Sequence, residues 1–485
     1  MRTSPLRRTT LALLACALVS PVHGADPAAP STLEQRIAGI MGPILADGRV
    51  LRTLETLTND HPHRMTGTDG HAAAVEWAAQ QLRDAGVRDV RLEPFTLANR
   101  WRPRAASATM LGAKPYTLHV ASVPWSPSTP AEGIEAELVM LTPDDMKDAA
   151  RLGERVRGRI VLASPRAVLA EMDCIGDDVV ARFHRELAAA GARAVLFGSM
   201  QPNNVVKTVA LLAPAAGAVV GLPAASVGME DALMLRRLAM NGSVRVALLL
   251  DNEVGGPIEV HNVIATLPGR EHDGEWVLAG AHLDAWPVGS AANDNGVGVS
   301  AVIETARALA NADAPLRRTV RFALWAGEEQ GVLGSSAFVR AHAAELDGLA
   351  LAINHDHGAA KPKGWAIPGR ADLAASFAAA GNPVFLRFGA TTIDTTAPAS
   401  SDTVSFVLAG VPALDLAADV PQRFAARRDA AAVEVALTAS SQLGCLAAGT
   451  RASSDAAGAR ASGVGERLEY YRDGKTITLH VRVDE

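Results

Sequence analysis

Three cysteines in 485 residues, Cys16, Cys174 and Cys445, are too few for a disulfide framework or a thiolate metal cluster. Basic residues never gather into a block, and the formal net charge is −6, so nucleic acid is not an expected partner. The apolar run Leu11 to Val19 is too short to span a bilayer, and no other stretch is long and apolar enough for a membrane helix. Aromatic residues make up only 4% of the chain, while Ala and Gly are abundant, as in a soluble globular protein. One further scarcity is local: between His357 and His480 the chain has no histidine.

What is present divides the chain. Its length exceeds what one ordinary hydrophobic core organises, so two domains are expected. Arg2, Arg7 and Arg8 precede the first apolar run, and Val22-His23-Gly24-Ala25 supplies small residues for cleavage. Residues 1–24 therefore read as a signal peptide, with a periplasmic or extracellular mature protein. Helical spacing marks 32–52 and 69–85, and Val90–Phe95 alternates like a strand. From about Ala105 to Val254 short strand-like runs surround one helical stretch, which predicts a smaller inserted α+β domain at 105–254. Strand and helix then alternate from His261 to a last helix over about Gln422–Cys445. The main domain, 32–104 with 255–448, is thus expected to be α/β, a mostly parallel mixed sheet with helices on both faces. Residues 449–465 read as a Gly/Ala/Ser linker, and 466–485 as a C-terminal hairpin around Asp473-Gly474.

The chemistry concentrates at the expected strand ends. One strand runs into Gly280-Ala281-His282-Leu283-Asp284, and the turn Ala292-Asn293-Asp294-Asn295-Gly296 opens the next helix. A second strand ends in Gly327-Glu328-Glu329, and a third in His355-Asp356-His357. In an open parallel sheet ligand sites lie beyond the carboxyl ends of the strands. His282, Asp284, Asp294, Glu328, Glu329 and Asp356 should therefore face one crevice. A lone histidine after a strand is ordinarily structural, an acid in an Asn/Gly turn is ordinarily turn chemistry, and paired glutamates ordinarily favour a helix start. Their coincidence at one rim instead predicts a divalent-metal site, with zinc the leading candidate. Adjacent glutamates suit two jobs, one binding metal while its neighbour accepts a proton from water.

In this spacing the chain resembles the M28 family of zinc exopeptidases, and within it the carboxypeptidase Q-like branch. The resemblance spans about Val50 to Cys445. Gly280–Trp286 is similar to that branch's first metal motif, and Asn293–Gly296 to its bridging-aspartate turn. Leu324–Gly331 is similar to the catalytic motif, and Ser401-Asp402 with Gly410-Val411-Pro412 to a later segment beside the active site. The insert resembles a protease-associated domain. The resemblance implies two zincs: His282 and Asp356 on one, Asp294 bridging, Glu329 on the second. It also implies Glu328 as general base, with Asp284, Ser401 and Asp402 in the surroundings of the metals or the substrate. The function it implies is a secreted metallo-aminopeptidase or dipeptidase acting on short peptides. A homodimer is left open.

In one place the chain departs from the family pattern. The last zinc-ligand histidine belongs in a loop after Gly410-Val411-Pro412, where this chain passes through Ala413–Pro421 directly into Gln422-Arg423-Phe424. One metal site would keep three protein ligands and the other only Asp294 and Glu329. His355, His357, His480, Asp415 and Asp419 are the substitutes that the sequence offers. The alternative reading is a catalytically impaired relative kept as a binding protein; a glutaminyl cyclase on a similar fold is a third.

Overall fold

The computed structural model describes residues 33–142, 145, 149–164, 179–199, 201–206, 219–272, 274–312, 315–356, 358, 361–397, 399–418, 466–472 and 475–481. The signal peptide, the linker, the last helix, all three cysteines, His357 and Asp419 lie outside the described residues.

Two eight-stranded sheets organise the described residues. In the first, four neighbouring strands run parallel: Thr319–Trp325, Trp276–His282, Leu349–Asn354 and Ala413–Ala418. On one side Ile258–Leu267 pairs antiparallel with them and Asp89–Leu97 antiparallel with it; on the other Pro362–Ala366 pairs antiparallel and Thr392–Asp394 adds to it in parallel. The α/β architecture expected from the sequence is therefore parallel in its middle and mixed toward its edges.

Alternation explains why the middle strands are apolar at most positions. Phe322 and Leu324 face one core with Leu57, Ala78, Leu82 and Val302. Their neighbours Ala323 and Trp325 face a second core with Leu278, Phe338, Phe406 and Val411. Successive side chains on a strand point to opposite faces, so a strand covered on both sides is apolar at every position. The helices Asp69–Asp84 and Val297–Ala310 supply the first cover, Leu333–Ala341 and Thr403–Leu408 the second.

The second sheet is drawn wholly from residues 101–254. Its buried positions also alternate between two cores, with Val161, Val195 and Phe197 on one side and Ile160, Leu162 and Leu196 on the other. Its long strand Trp101–Leu111 begins ahead of the change in texture seen near Ala105. Pro103 and the alternating arginines hide it, and its pairing with Arg245–Val254 shifts register between Pro103 and Ala105. The strand Ala224–Val227 and the helix Met229–Ala239 are also absent from the sequence reading, because Ala-Ala-Ser carries little strand signal. The C-terminal hairpin pairs Glu466–Arg472 with Lys475–Val481 in antiparallel register. Among the described residues no helix is long and apolar enough to cross a membrane.

Two buried histidines make stability depend on pH. Burial lowers His184, packed near Phe183 and Phe197, from 6.5 to about 4. Burial also lowers His71 from 6.5 to about 4, against the opposing charge of Asp284. An unfolded imidazole takes up its proton near 6.5, whereas these two in the fold resist until about 4. The unfolded state thus binds more protons in that window, and stability falls as pH drops through it, by about 1.4 kcal/mol per pH unit per histidine. Urea unfolding between neutral pH and pH 4 is expected to show this decline, with a shallower slope in His184→Leu. An unaltered slope in that variant would contradict a dry, neutral His184.

Candidate metal centre

His282 closes the strand Trp276–His282 and is completely buried. Its Nδ1 lies 3.1 Å from the main-chain carbonyl oxygen of Asp284. A donor at Nδ1 leaves the Nε2 lone pair free to face outward, the arrangement a metal-ligating imidazole needs. Nε2 faces Asp356 Oδ1 at 3.1 Å, Asp294 Oδ1 at 3.2 Å and Glu328 Oε2 at 3.9 Å. The donor atoms of His282, Asp294 and Asp356 all lie within 4.8 Å of one another. One nitrogen and two carboxylate oxygens at that spacing suit a divalent cation, and zinc by donor type.

Strand register delivers these groups to one rim. His282 is level with Trp325, Gly280 with Asn354, and Asn354 with Asp415. The chain beyond each strand therefore spills over the same edge. Two interlocking turns then set the carboxylates. Asn295, completely buried beside a cis Asp294–Asn295 peptide, donates through Nδ2 to the carbonyl of His355 at 2.7 Å and accepts from Gly298 N–H at 3.0 Å. This clip holds the Asp294 turn against the Asp356 turn. There is room for no side chain at Gly298, where a Cβ would sit 2.3 Å from Asn295 Oδ1 and 2.4 Å from the His355 carbonyl. Gly358 meets Asn293 in the same way at 2.4 Å.

Asp284 is buried, and its carboxylate Oδ1 accepts from the Glu328 N–H at 3.1 Å. The same oxygen lies 3.6 Å from His282 Nδ1, too far for a hydrogen bond but close enough to stabilise positive charge on the ring. Asp284 thus reaches His282 through its main-chain carbonyl and Glu328 through its side chain.

The electrostatics are those of crowded acids around one imidazole. Burial would lower the His282 pKa, but Asp356, Glu328, Asp284 and Asp294 outweigh it and raise it well above 6.5. Burial raises Glu328 well above the ordinary range, with Asp356, Glu329 and Asp402 adding and His282 opposing. Glu329 is raised the same way, by burial first and then by Asp294. Asp402, buried in the turn before the helix Thr403–Leu408, is pushed up to about 8 by burial. Beside it Ser401 has a left-handed backbone, φ 51. A bound cation would take over the neutralising role that a proton otherwise fills here.

The substitutes for the missing histidine fare unequally. His355 gives its carbonyl to Asn295 and its N–H to the carbonyl of Gly280, and it is not one of the three clustered donors. Asp415 is buried, accepting from Ser400 Oγ at 2.6 Å and from Asn354 Nδ2 at 3.4 Å, so it ties strand ends together. His480 is paired with Arg467 in the C-terminal hairpin.

Sequence reasoning missed Arg64. Its guanidinium is completely buried and donates to the carbonyls of Leu283, Ser290 and Ala291. Burial lowers its pKa to about 10, with Asp284, Glu329 and Asp294 opposing, so it stays charged at neutral pH. Its one local signal is composition, since His61–Thr68 between two helical stretches is turn-rich.

The Peptidase family M28 model matches residues 262–443, which contain every clustered donor. Carboxypeptidase Q of Bos taurus is 28% identical over 327 residues, covering 67% of this chain and 68% of that protein. These matches support an M28, carboxypeptidase Q-like assignment. The fold agrees. A peptidase M28 precursor from Shewanella amazonensis SB2B superposes with TM-score 0.70 at 24% identity, over 86% of this chain and 96% of that one. BSAP, a zinc aminopeptidase from Bacillus subtilis, superposes with TM-score 0.59 at 22% identity, over 77% and 85%. The same matches support a metallo-exopeptidase.

Proposed function

We propose that the protein is an exported zinc exopeptidase that releases N-terminal residues from dipeptides or short peptides. The observation that carries this reading is the completely buried His282, with Asp356, Asp294 and Glu328 all within 3.9 Å of its Nε2. His282, Asp294 and Asp356 would hold one zinc, and Asp294 with Glu329 is the donor pair left for a second. Zinc, when bound, supplies Lewis acidity toward a peptide carbonyl. Glu328, whose Oε2 lies 3.9 Å from His282 Nε2, takes a proton from the attacking water and returns it to the leaving amine. The surplus of carboxylates gives the crevice a negative field that favours a substrate's ammonium end. Asp284 keeps the Glu328 backbone in place, and Ser401-Asp402 border the substrate. The arginine-flanked apolar leader supports export, and 105–254 is read as a protease-associated domain.

A binding protein on the same fold is the second reading. It is favoured by the single imidazole in the cluster among the described residues. Zinc per chain, measured with hydrolysis of a dipeptide panel, separates the two. Stoichiometric zinc with turnover is expected. A folded protein that takes up no zinc and cleaves nothing when zinc is added would overturn the enzyme reading. Cyclisation of N-terminal glutaminyl peptides would replace it with acyl transfer.

A further inference from the structure

Three consecutive residues, Arg64, Met65 and Thr66, touch three separate parts of the molecule. Arg64 donates through Nε to the Leu283 carbonyl at 2.7 Å, through Nη1 to Ser290 at 3.0 Å and through Nη2 to Ala291 at 2.7 Å. Its own carbonyl accepts from Ala285 N–H at 3.3 Å. These bonds span the loop that leaves His282 and arrives at Asp294. Thr66 Oγ accepts from Gly327 N–H at 2.8 Å, and its carbonyl accepts from Gln330 Nε2 at 3.3 Å, which brackets Glu328 and Glu329. Met65 packs with Trp286 of the first loop and with Trp101 and Trp125 of the second-sheet segment. All three residues are at most 2% exposed.

We propose that Arg64 is a positioning residue for the cation and Thr66 its counterpart under the glutamates. Together they fix the gap between the His282–Asp294 loop and the Glu328-Glu329 loop, although neither side chain is a ligand. A planar guanidinium reaches three carbonyls at once, which a lysine ammonium on a flexible stem cannot reproduce. Groups that orient metal ligands from behind typically change affinity by roughly 10–100-fold when removed. Arg64→Lys keeps the charge but surrenders that three-way geometry, so its effect reports position rather than electrostatics.

The inference rests on the metal-site reading above, and the experiment distinguishes the two. Zinc affinity of the full-length protein is measured by competition with a chromophoric chelator, and cobalt(II) is loaded in parallel for its visible absorption spectrum. Wild-type protein that binds neither metal overturns the metal-site reading itself. Given wild-type binding, Arg64→Lys is expected to lose affinity by roughly 10–100-fold and to alter the cobalt spectrum. The metal-free variant should still melt cooperatively. Thr66→Val should weaken binding too, and Thr66→Ser, which keeps the hydroxyl, should restore it. Wild-type affinity and an unchanged spectrum in Arg64→Lys would overturn the inference. Should Arg64→Lys fail to fold, the same result in Thr66→Val would overturn it.

Discussion

Replacing Glu328 by glutamine is expected to lower kcat on a dipeptide by ~10²–10⁴-fold while leaving bound zinc unchanged. Glutamine has nearly the same shape but cannot accept the proton that the attacking water must lose. Glu328 is not one of the three mutually close donors, and its main chain would still be held by Asp284. Steady-state kinetics read beside metal content therefore separate proton transfer from metal binding. Full turnover in the variant would move the base elsewhere, and zinc lost together with activity would make Glu328 a ligand.

Gly298→Ala carries the second large effect, at a position with no chemistry of its own. The new methyl would lie 2.3 Å from Asn295 Oδ1 and 2.4 Å from the His355 carbonyl. Both atoms belong to the hydrogen-bonded clip between the Asp294 and Asp356 turns, so neither can retreat without breaking it. Overpacking of this kind costs about 1–3 kcal/mol of stability. Spreading the two carboxylates should cost metal affinity as well, roughly 10–100-fold. Thermal unfolding of the metal-free protein gives the first quantity, and chelator competition gives the second. A variant unchanged in both would mean that the turns tolerate separation and that the clip does not set the site.

The centre was legible where chain order and space coincide. His282, Glu328, Glu329 and Asp356 each follow an apolar strand, and parallel strands in register carry such residues to one edge. The sheet's middle could be read for the same reason, since strands apolar at most positions signal cover on both faces. Long-range support was not legible. Arg64 lies in a turn more than two hundred residues before the loop it holds, and nothing local distinguishes it from a solvated arginine. Asn295 looked like ordinary turn chemistry, because its amide's service to His355 exists only after folding. Asp284 shows a finer limit. Its spacing from His282 placed a carbonyl and a carboxylate together, but not which of them would face the ring.

The second sheet leaves the first after Leu97 and returns at Ile258. The two crossings are laced together, with Arg100 and Gly255–Gly256 exchanging main-chain hydrogen bonds. Exit and re-entry therefore form one seam, and the length of chain looped out beyond it enters the closure entropy only logarithmically. Such a seam admits a large module or a short turn with little rerouting of the strands beside it. Among the described residues the indole contacts around Met65 and the Arg102–Asp69 ion pair also tie the module to its neighbour, so gaining or losing it would be an event at the border of the hydrolytic body, not a rebuilding of it.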